Sequence, residues 1–232
     1  MKLAIVGYGK MGRLVEQLAP DYGLEVSLKL DEFNNADFDG ITAENFRGVD
    51  VAIEFSTPAT VVGNVERIAA LGVNMVVGAT GWLDRLDQVR AAVARHGVGL
   101  VWSPNFSIGV NVFSRLVSEA ARLLAAEEQY GAWAWEIHHS AKKDAPSGTL
   151  LKLIADMRKA GYARPVDAAS NRAGAHPGTH EIGFDSAADT ITLRHTARSR
   201  EGFARGALKA ALWVAGKRGM YEFSEIVFGN AR

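Results

Sequence analysis

Leu3-Ala4-Ile5-Val6 is a short, unbroken apolar run that ends in Gly7-Tyr8-Gly9-Lys10-Met11-Gly12, and a helical pattern on Leu14, Val15 and Leu18 begins at once. An apolar run without polar alternation suits a strand buried on both faces. The three glycines then serve separate ends: Gly7 the tight turn, Gly9 a close approach of backbone to a pyrophosphate, and Gly12 the packing of helix on strand. Glu25 to Leu30 reads as a second strand ending at Asp31, about 20 positions past Gly12, where a dinucleotide-binding βαβ unit places its acidic ribose ligand. Asp31 is followed by Glu32 with no Arg beside it in sequence, so a 2′-phosphate would be repelled and NADH is expected over NADPH.

The rhythm continues with strands at Val49 to Phe55, Asn74 to Val77 and Gly99 to Trp102, separated by helices from Pro58 to about Leu71 and from about Asp84 to Arg95. Repeated strand–helix units predict a parallel sheet covered by helices, with ligands beyond the carboxyl ends of the strands. Ser56-Thr57-Pro58, Gly78-Ala79-Thr80-Gly81 and Ser103-Pro104-Asn105-Phe106 fall at those ends, although each alone reads as a turn. Ile108 to Glu127 reads as a long helix, and the texture then changes. A strand at 132–139, a helix from about 148 to 160 and strands near 181–184 and 190–193 predict a second, α+β domain opening near Ile108, and a helix from Gly206 to Lys217 comes after them. A short segment from Tyr221 to Phe228 follows.

In the second domain, Glu136-Ile137-His138-His139-Ser140-Ala141-Lys142-Lys143-Asp144-Ala145-Pro146-Ser147-Gly148-Thr149 gathers two imidazoles and two ammonium groups just before a helix. Ser147 stands where an N-cap belongs, and the N–H groups of Gly148 and Thr149 fall in the first turn at the positive end of the helix dipole. That is a carboxylate or phosphate site, with histidines suited to proton traffic beside it.

Charge and composition narrow the partners. Lys+Arg and Asp+Glu number 26 each, so no global field recruits nucleic acid or an anionic membrane. The absence of cysteine excludes thiolate metal sites and iron–sulfur clusters. No metal site is expected, because His96, His176, His180 and His195 show no ligand spacing, and none of the four is given a catalytic role. The apolar stretches fall short of the ~20 residues that span a bilayer, and the N-terminal run breaks into glycines too early for a signal peptide. A cytoplasmic location is the default expectation.

Taken together, the glycine loop, Gly78-Ala79-Thr80-Gly81, the Asn105 to Asn111 segment, Arg172-Ala173-Gly174, His195 through Trp213 and above all the His-His-x-x-Lys-x-Asp-Ala-Pro-Ser-Gly-Thr run resemble the dihydrodipicolinate reductase family over essentially the whole chain. The resemblance implies a Rossmann-like α/β domain, residues 1–107 rejoined by 207–232, and an α+β domain, residues 108–206, that binds substrate and builds a homotetramer. It implies NAD(P)H-dependent reduction of a small dicarboxylate, 4-hydroxy-tetrahydrodipicolinate, with loss of water, in the diaminopimelate route to lysine. Position by position, it makes His138 the acid/base, Lys142 a proton donor, and His139, Ser147, Gly148 and Thr149 substrate contacts. Cofactor contacts are Gly7, Tyr8, Gly9, Lys10, Met11, Gly12, Asp31, Gly78, Ala79, Thr80, Ser103, Pro104, Asn105 and Phe106. The glycine loop is one residue shorter than the longer form common in the family, and Ala79 replaces a usual threonine. Two other readings share the first domain: an amino-acid dehydrogenase, which would not carry the full His-His-Lys run, and a nicotinamide-binding sensor, which would have lost His138 and Lys142. Arg194, His195 and Arg198 are left open as further groups able to reach the substrate.

Overall fold

The structure, a computed structural model, describes residues 1–229. Two compact units divide the chain: Met1–Ile108 together with the segment from Glu201 onward, and Gly109–Arg200 between them.

In the first unit, β1 (Lys2–Val6), β2 (Glu25–Leu30), β3 (Val51–Glu54), β4 (Asn74–Val77), β5 (Gly99–Trp102) and β10 (Gly219–Glu222) form one sheet in the order β10-β5-β4-β3-β1-β2. Every pairing is parallel. Helices α1 (Lys10–Leu18), α2 (Val61–Ala70), α3 (Leu86–His96) and α6 (Glu201–Val214) cover it. The continuous apolar runs make sense here, because successive side chains go to opposite faces and both faces are cores. Leu3 and Ile5 enter the cluster with α1 and α6, while Ala4 and Val6 enter the one with α2 and α3. Fully burying a Leu or Ile in this way is worth ~1.5–3 kcal/mol. The sheet order reverses at β1 and β3, which puts a crevice beyond their carboxyl ends.

The second unit holds α4 (Ile108–Leu123, counted here from its second residue), β6 (Gly131–His138), α5 (Gly148–Lys159), β7 (Val166–Arg172), β8 (Thr179–Asp185) and β9 (Thr190–Thr196). Its sheet runs β7-β6-β8-β9, with β6–β7 parallel and the other pairs antiparallel. Phe113 and Val117 of α4, Leu150, Leu153 and Met157 of α5, and Ala134, Ile182 and Phe184 of the sheet make one core.

Three sequence readings change. β7 was not expected: the sequence pattern places no strand between the helix ending near 160 and the strand near 181. The helix read from Gly206 to Lys217 is α6, Glu201–Val214, so it starts and ends earlier. The Tyr221 to Phe228 segment resolves into β10 followed by α7 (Phe223–Val227). Among the described residues, no helix is long and apolar enough to cross a membrane.

Candidate active site

The glycine turn leaves β1 with Gly7 at φ +90°, a conformation in which a Cβ would lie 2.4 Å from the Phe55 carbonyl carbon. Gly7 and Tyr8 both donate to the Leu30 carbonyl at 2.9 Å, which fastens the turn to the end of β2. Gly9 differs: a Cβ there would meet nothing within 4 Å and would simply fill the space in front of the α1 N-terminus. Tyr8 is held by Glu16, which also takes Lys29 Nζ at 2.9 Å. The turn borders a cleft of about 600 Å³ lined by Gly7, Tyr8, Gly9, Arg13, Asp31 and Ser56 among others. The Asp31 carboxylate is tied to its own loop, with Oδ1 accepting from Phe33 N at 2.9 Å and Asn34 N at 3.2 Å.

Of the expected cofactor residues, Gly7, Tyr8, Gly9 and Asp31 meet at this cleft. Lys10 is exposed on the first turn of α1, Met11 is half-buried, and Gly12 is buried between helix and strand. Gly78, Ala79 and Thr80 follow β4, where Gly78 N bonds the Glu54 carbonyl at 2.8 Å and the Ala79 carbonyl accepts Trp82 Nε1 at 2.8 Å. Ser103, Pro104, Asn105 and Phe106 follow β5, folded by a Ser103 Oγ to Asn105 carbonyl bond of 2.8 Å. Both segments stand at strand carboxyl ends but outside the lining of this cleft. Arg13 also lines it without having been singled out, and Ser56 and Thr57, noted above as a strand-end turn but not as cofactor contacts, line it too. Arg13 also removes the premise that no arginine accompanies Asp31 and Glu32: it comes from α1, one helical turn past Gly9, and not from the sequence beside Asp31.

In the second unit the signature segment surrounds one buried carboxylate. On β6, Ala134, Glu136 and His138 alternate onto the buried face. Glu136 is fully buried and accepts from Ser147 N at 2.9 Å, Ser147 Oγ, Ser170 Oγ at 2.9 Å and Arg172 Nη2 at 2.9 Å. Burial alone would raise its pKa, but the bonds from Ser147, Arg172 and Ser170 win and hold it at about 2. His138 Nδ1 lies 3.5 Å from Glu136 Oε2, and His180 Nε2 lies 3.3 Å from the same oxygen and 3.2 Å from Ser147 Oγ. The two imidazoles meet edge to face with centroids 5.0 Å apart. Burial lowers the pKa of both rings; His180 reaches about 4, pushed further by His138, while Lys142 and Arg172 add to the lowering at His138 against the pull of Glu136.

Ser147 caps α5 as its position predicts, its Oγ accepting from Leu150 N at 3.1 Å. Lys142 Nζ grips the Asp144 carboxylate at 2.8 and 2.9 Å. That bond holds Asp144 below its ordinary range, with slight burial opposing it and the Gly148 backbone adding to it. The ammonium and the helix start thus already share a carboxylate of the chain itself. His139 is half-buried, and its carbonyl accepts Lys142 N at 3.1 Å. Glu136, Arg172 and His180 are the residues that sequence reasoning passed over. Of the late residues, Arg194 pairs with Glu181 at 3.3 Å, and His195 stacks on Phe113 with its pKa lowered by burial.

The model of the N-terminal part of dihydrodipicolinate reductase matches residues 1–106, and that of its C-terminal part matches residues 109–227. The chain belongs to the dihydrodipicolinate reductase family. It is 32% identical to the 4-hydroxy-tetrahydrodipicolinate reductase of Christiangramia forsetii, with 98% of each chain covered. Identity to the reductase of Archaeoglobus fulgidus is 34%, over 98% of this chain and all of the relative. The fold is also that of a dipicolinate-bound dihydrodipicolinate reductase from Paenisporosarcina sp. TG-14, at a TM-score of 0.82 and 22% identity, with 97% and 99% of the two chains covered. An amine dehydrogenase from Mycobacterium smegmatis shares the fold at a TM-score of 0.64 and 10% identity. Dihydrodipicolinate reductases are oxidoreductases that use a pyridine nucleotide, and the turn here fits one: the space that a Cβ on Gly9 would fill lies at the α1 N-terminus, where a pyrophosphate meets backbone N–H groups.

Proposed function

We propose that the protein reduces 4-hydroxy-tetrahydrodipicolinate to tetrahydrodipicolinate with NAD(P)H and loss of water, as a cytoplasmic enzyme of diaminopimelate and lysine biosynthesis. The observation that carries this reading is the Asp144 carboxylate on Lys142 Nζ at the start of α5, next to His138: the same donors suit a substrate carboxylate. In this reading Gly148 and Thr149 offer backbone N–H groups to one carboxylate, with Ser147 fixing the helix start and His139 and Lys142 facing the substrate's remaining polar groups. Loss of the hydroxyl as water requires one group to take a ring proton and another to protonate the departing oxygen. His138 is the acid/base and Lys142 the donor, and one of them returns a proton to the ring carbon after reduction. A bound nicotinamide supplies the hydride. Positioned proton transfer contributes ~10²–10⁴-fold.

Gly7 to Gly12, Asp31, Gly78 to Thr80 and Ser103 to Phe106 form the cofactor site in this proposal. Both nucleotides serve, with NADH favoured by the charges of Asp31 and Glu32 and the bias limited by Arg13 in the same cleft. Asp31→Ala narrows the NADH over NADPH ratio of kcat/KM; an unchanged ratio means that Asp31 does not read the ribose. A homotetramer through the sheet of the second unit fits the half-buried Trp133 and Trp135 on the face opposite its core, and sedimentation velocity tests it.

The deciding experiment supplies substrate made in situ by an aldolase from pyruvate and aspartate semialdehyde and follows NADH consumption. His138→Gln and Lys142→Ala each lower turnover by ~10²-fold or more while NADH affinity stays nearly unchanged. Equal loss of cofactor binding in both variants contradicts these roles.

A further inference from the structure

Glu54 ends β3 fully buried, yet no cation pairs with it among the described residues. Its hydrogen bonds converge on Oε1, from Ser56 N at 3.1 Å, Ser56 Oγ and Asn64 Nδ2 at 3.1 Å. Oε2 is buried without a partner. Val6 on β1 and Val77 on β4 flank it in the sheet. The charged groups of the nearby cleft, Arg13, Asp31 and Glu32, form no ion pair with it. An ionised carboxylate in such surroundings is expensive, and burial raises Glu54 to about 7, the Ser56 and Asn64 bonds offsetting only part of it.

The donors on Glu54 reach outward to the cleft. Ser56 and Asn64 both line it. Asn64 Oδ1 accepts from Asn35 Nδ2 at 3.3 Å, and Asn35 Oδ1 takes Gly40 N at 3.1 Å, so the same frame holds the loop that carries Asp31, Glu32 and Phe33. On the reading of this cleft as the pyridine-dinucleotide site, we propose that Glu54 is a positioning residue that organises the cleft in its neutral acid form, so that protonation of a carboxyl outside the lining sets cofactor affinity. The neutral acid accepts from Ser56 and Asn64 and places no charge behind them. Ionisation keeps the acceptor but sets a negative charge in a dry site behind the wall that faces a doubly charged pyrophosphate. Binding of the anion therefore raises the cost of ionisation, and by linkage affinity falls as pH rises through about 7.

NADH is the probe, because it lacks a 2′-phosphate that titrates near neutrality. Its dissociation constant is measured by fluorescence titration of the full chain between about pH 6 and pH 8.5. A bound-state pKa one unit above the free value gives on the order of tenfold weaker binding at the alkaline end. Glu54→Gln, which copies the neutral form, flattens the profile and binds more tightly than the parent at the alkaline end. Glu54→Leu removes the acceptor and weakens NADH at every pH; should it not fold, the parent and the Gln variant decide by themselves. His96 on α3 is the one histidine within residues 1–108 and 201–232, and both proteins carry it, so a slope that persists in Glu54→Gln belongs elsewhere and overturns the proposal. A flat parental profile overturns it too. Failure of NADH to bind at any pH instead overturns the assignment of the cleft, and this inference with it.

Discussion

Glu54 and Glu136 are both glutamates on a strand, both fully buried, one in each unit, and their acidities diverge from about 7 to about 2. Desolvation heads the causes at both sites and raises both acids, but only at Glu136 do hydrogen bonds outweigh it. The difference is the company each oxygen keeps. Glu136 faces a guanidinium, two hydroxyls and a backbone N–H that together engage both oxygens, while Glu54 has a hydroxyl, an amide and a backbone N–H crowded on one oxygen. One carboxyl is thereby fixed as a permanent anion around which β6, β7 and α5 are tied, and the other is poised near neutrality.

The largest effect that tests this contrast is on stability. Glu136→Leu strands Arg172, whose Nε is already buried without a partner, and should cost ~3–5 kcal/mol in denaturant unfolding. A loss below ~1 kcal/mol would mean that the ion pair does not organise the second unit. Ser147→Ala removes both the cap on Leu150 N and a donor to Glu136, and should cost ~1–2 kcal/mol together with weaker binding of dicarboxylate inhibitors. Glu54→Gln should be the mildest, within ~1 kcal/mol of the parent near pH 4.5, and should be the more stable protein at pH 8.5.

The pH profile sharpens the same contrast through its sign. Glu136 has a depressed pKa, so its contribution is present above the unfolded value and is lost as pH falls through about 2. His180, whose pKa burial lowers to about 4, stays neutral above that and destabilises the fold as pH drops from its ordinary value of 6.5 towards 4. Glu54 runs the other way: its raised pKa gives stability that is present below 4.5 and lost as pH rises through about 7. Hydrogen exchange resolved by segment should show acid loosening first around β6 and α5 and alkaline loosening first around β3. The reverse order would refute the assignment.

Much of this was legible in the sequence, for reasons that can be named. The first sheet announces itself because buried parallel strands are runs such as Ala4-Ile5-Val6 and Met75-Val76-Val77, and the glycine turn has few other uses. Ser147 as cap was visible because caps are local. β7 was missed because Val166-Asp167-Ala168-Ala169-Ser170-Asn171-Arg172 has neither apolar alternation nor an apolar run; it is an edge strand held by its parallel register with β6. Glu136 could have been found: period two from Ala134 puts it on the face of His138, and a buried charge demands partners. Those partners, Arg172 and His180, come from β7 and β8, and Arg13 reaches the cleft from α1, pairings that depend on register and helix phase and leave no local trace.

The placement of β10 against β5 has a consequence during synthesis. The parallel sheet is begun by residues 1–108, yet its outer strand is supplied only after residues 109–200 have been made. Until then β5 presents an open edge on the ribosome, the kind of surface that recruits stray strands, while the intervening unit is free to collapse first as a guest inside an unfinished host. A nascent chain halted before residue 219 should therefore be the form most in need of a chaperone.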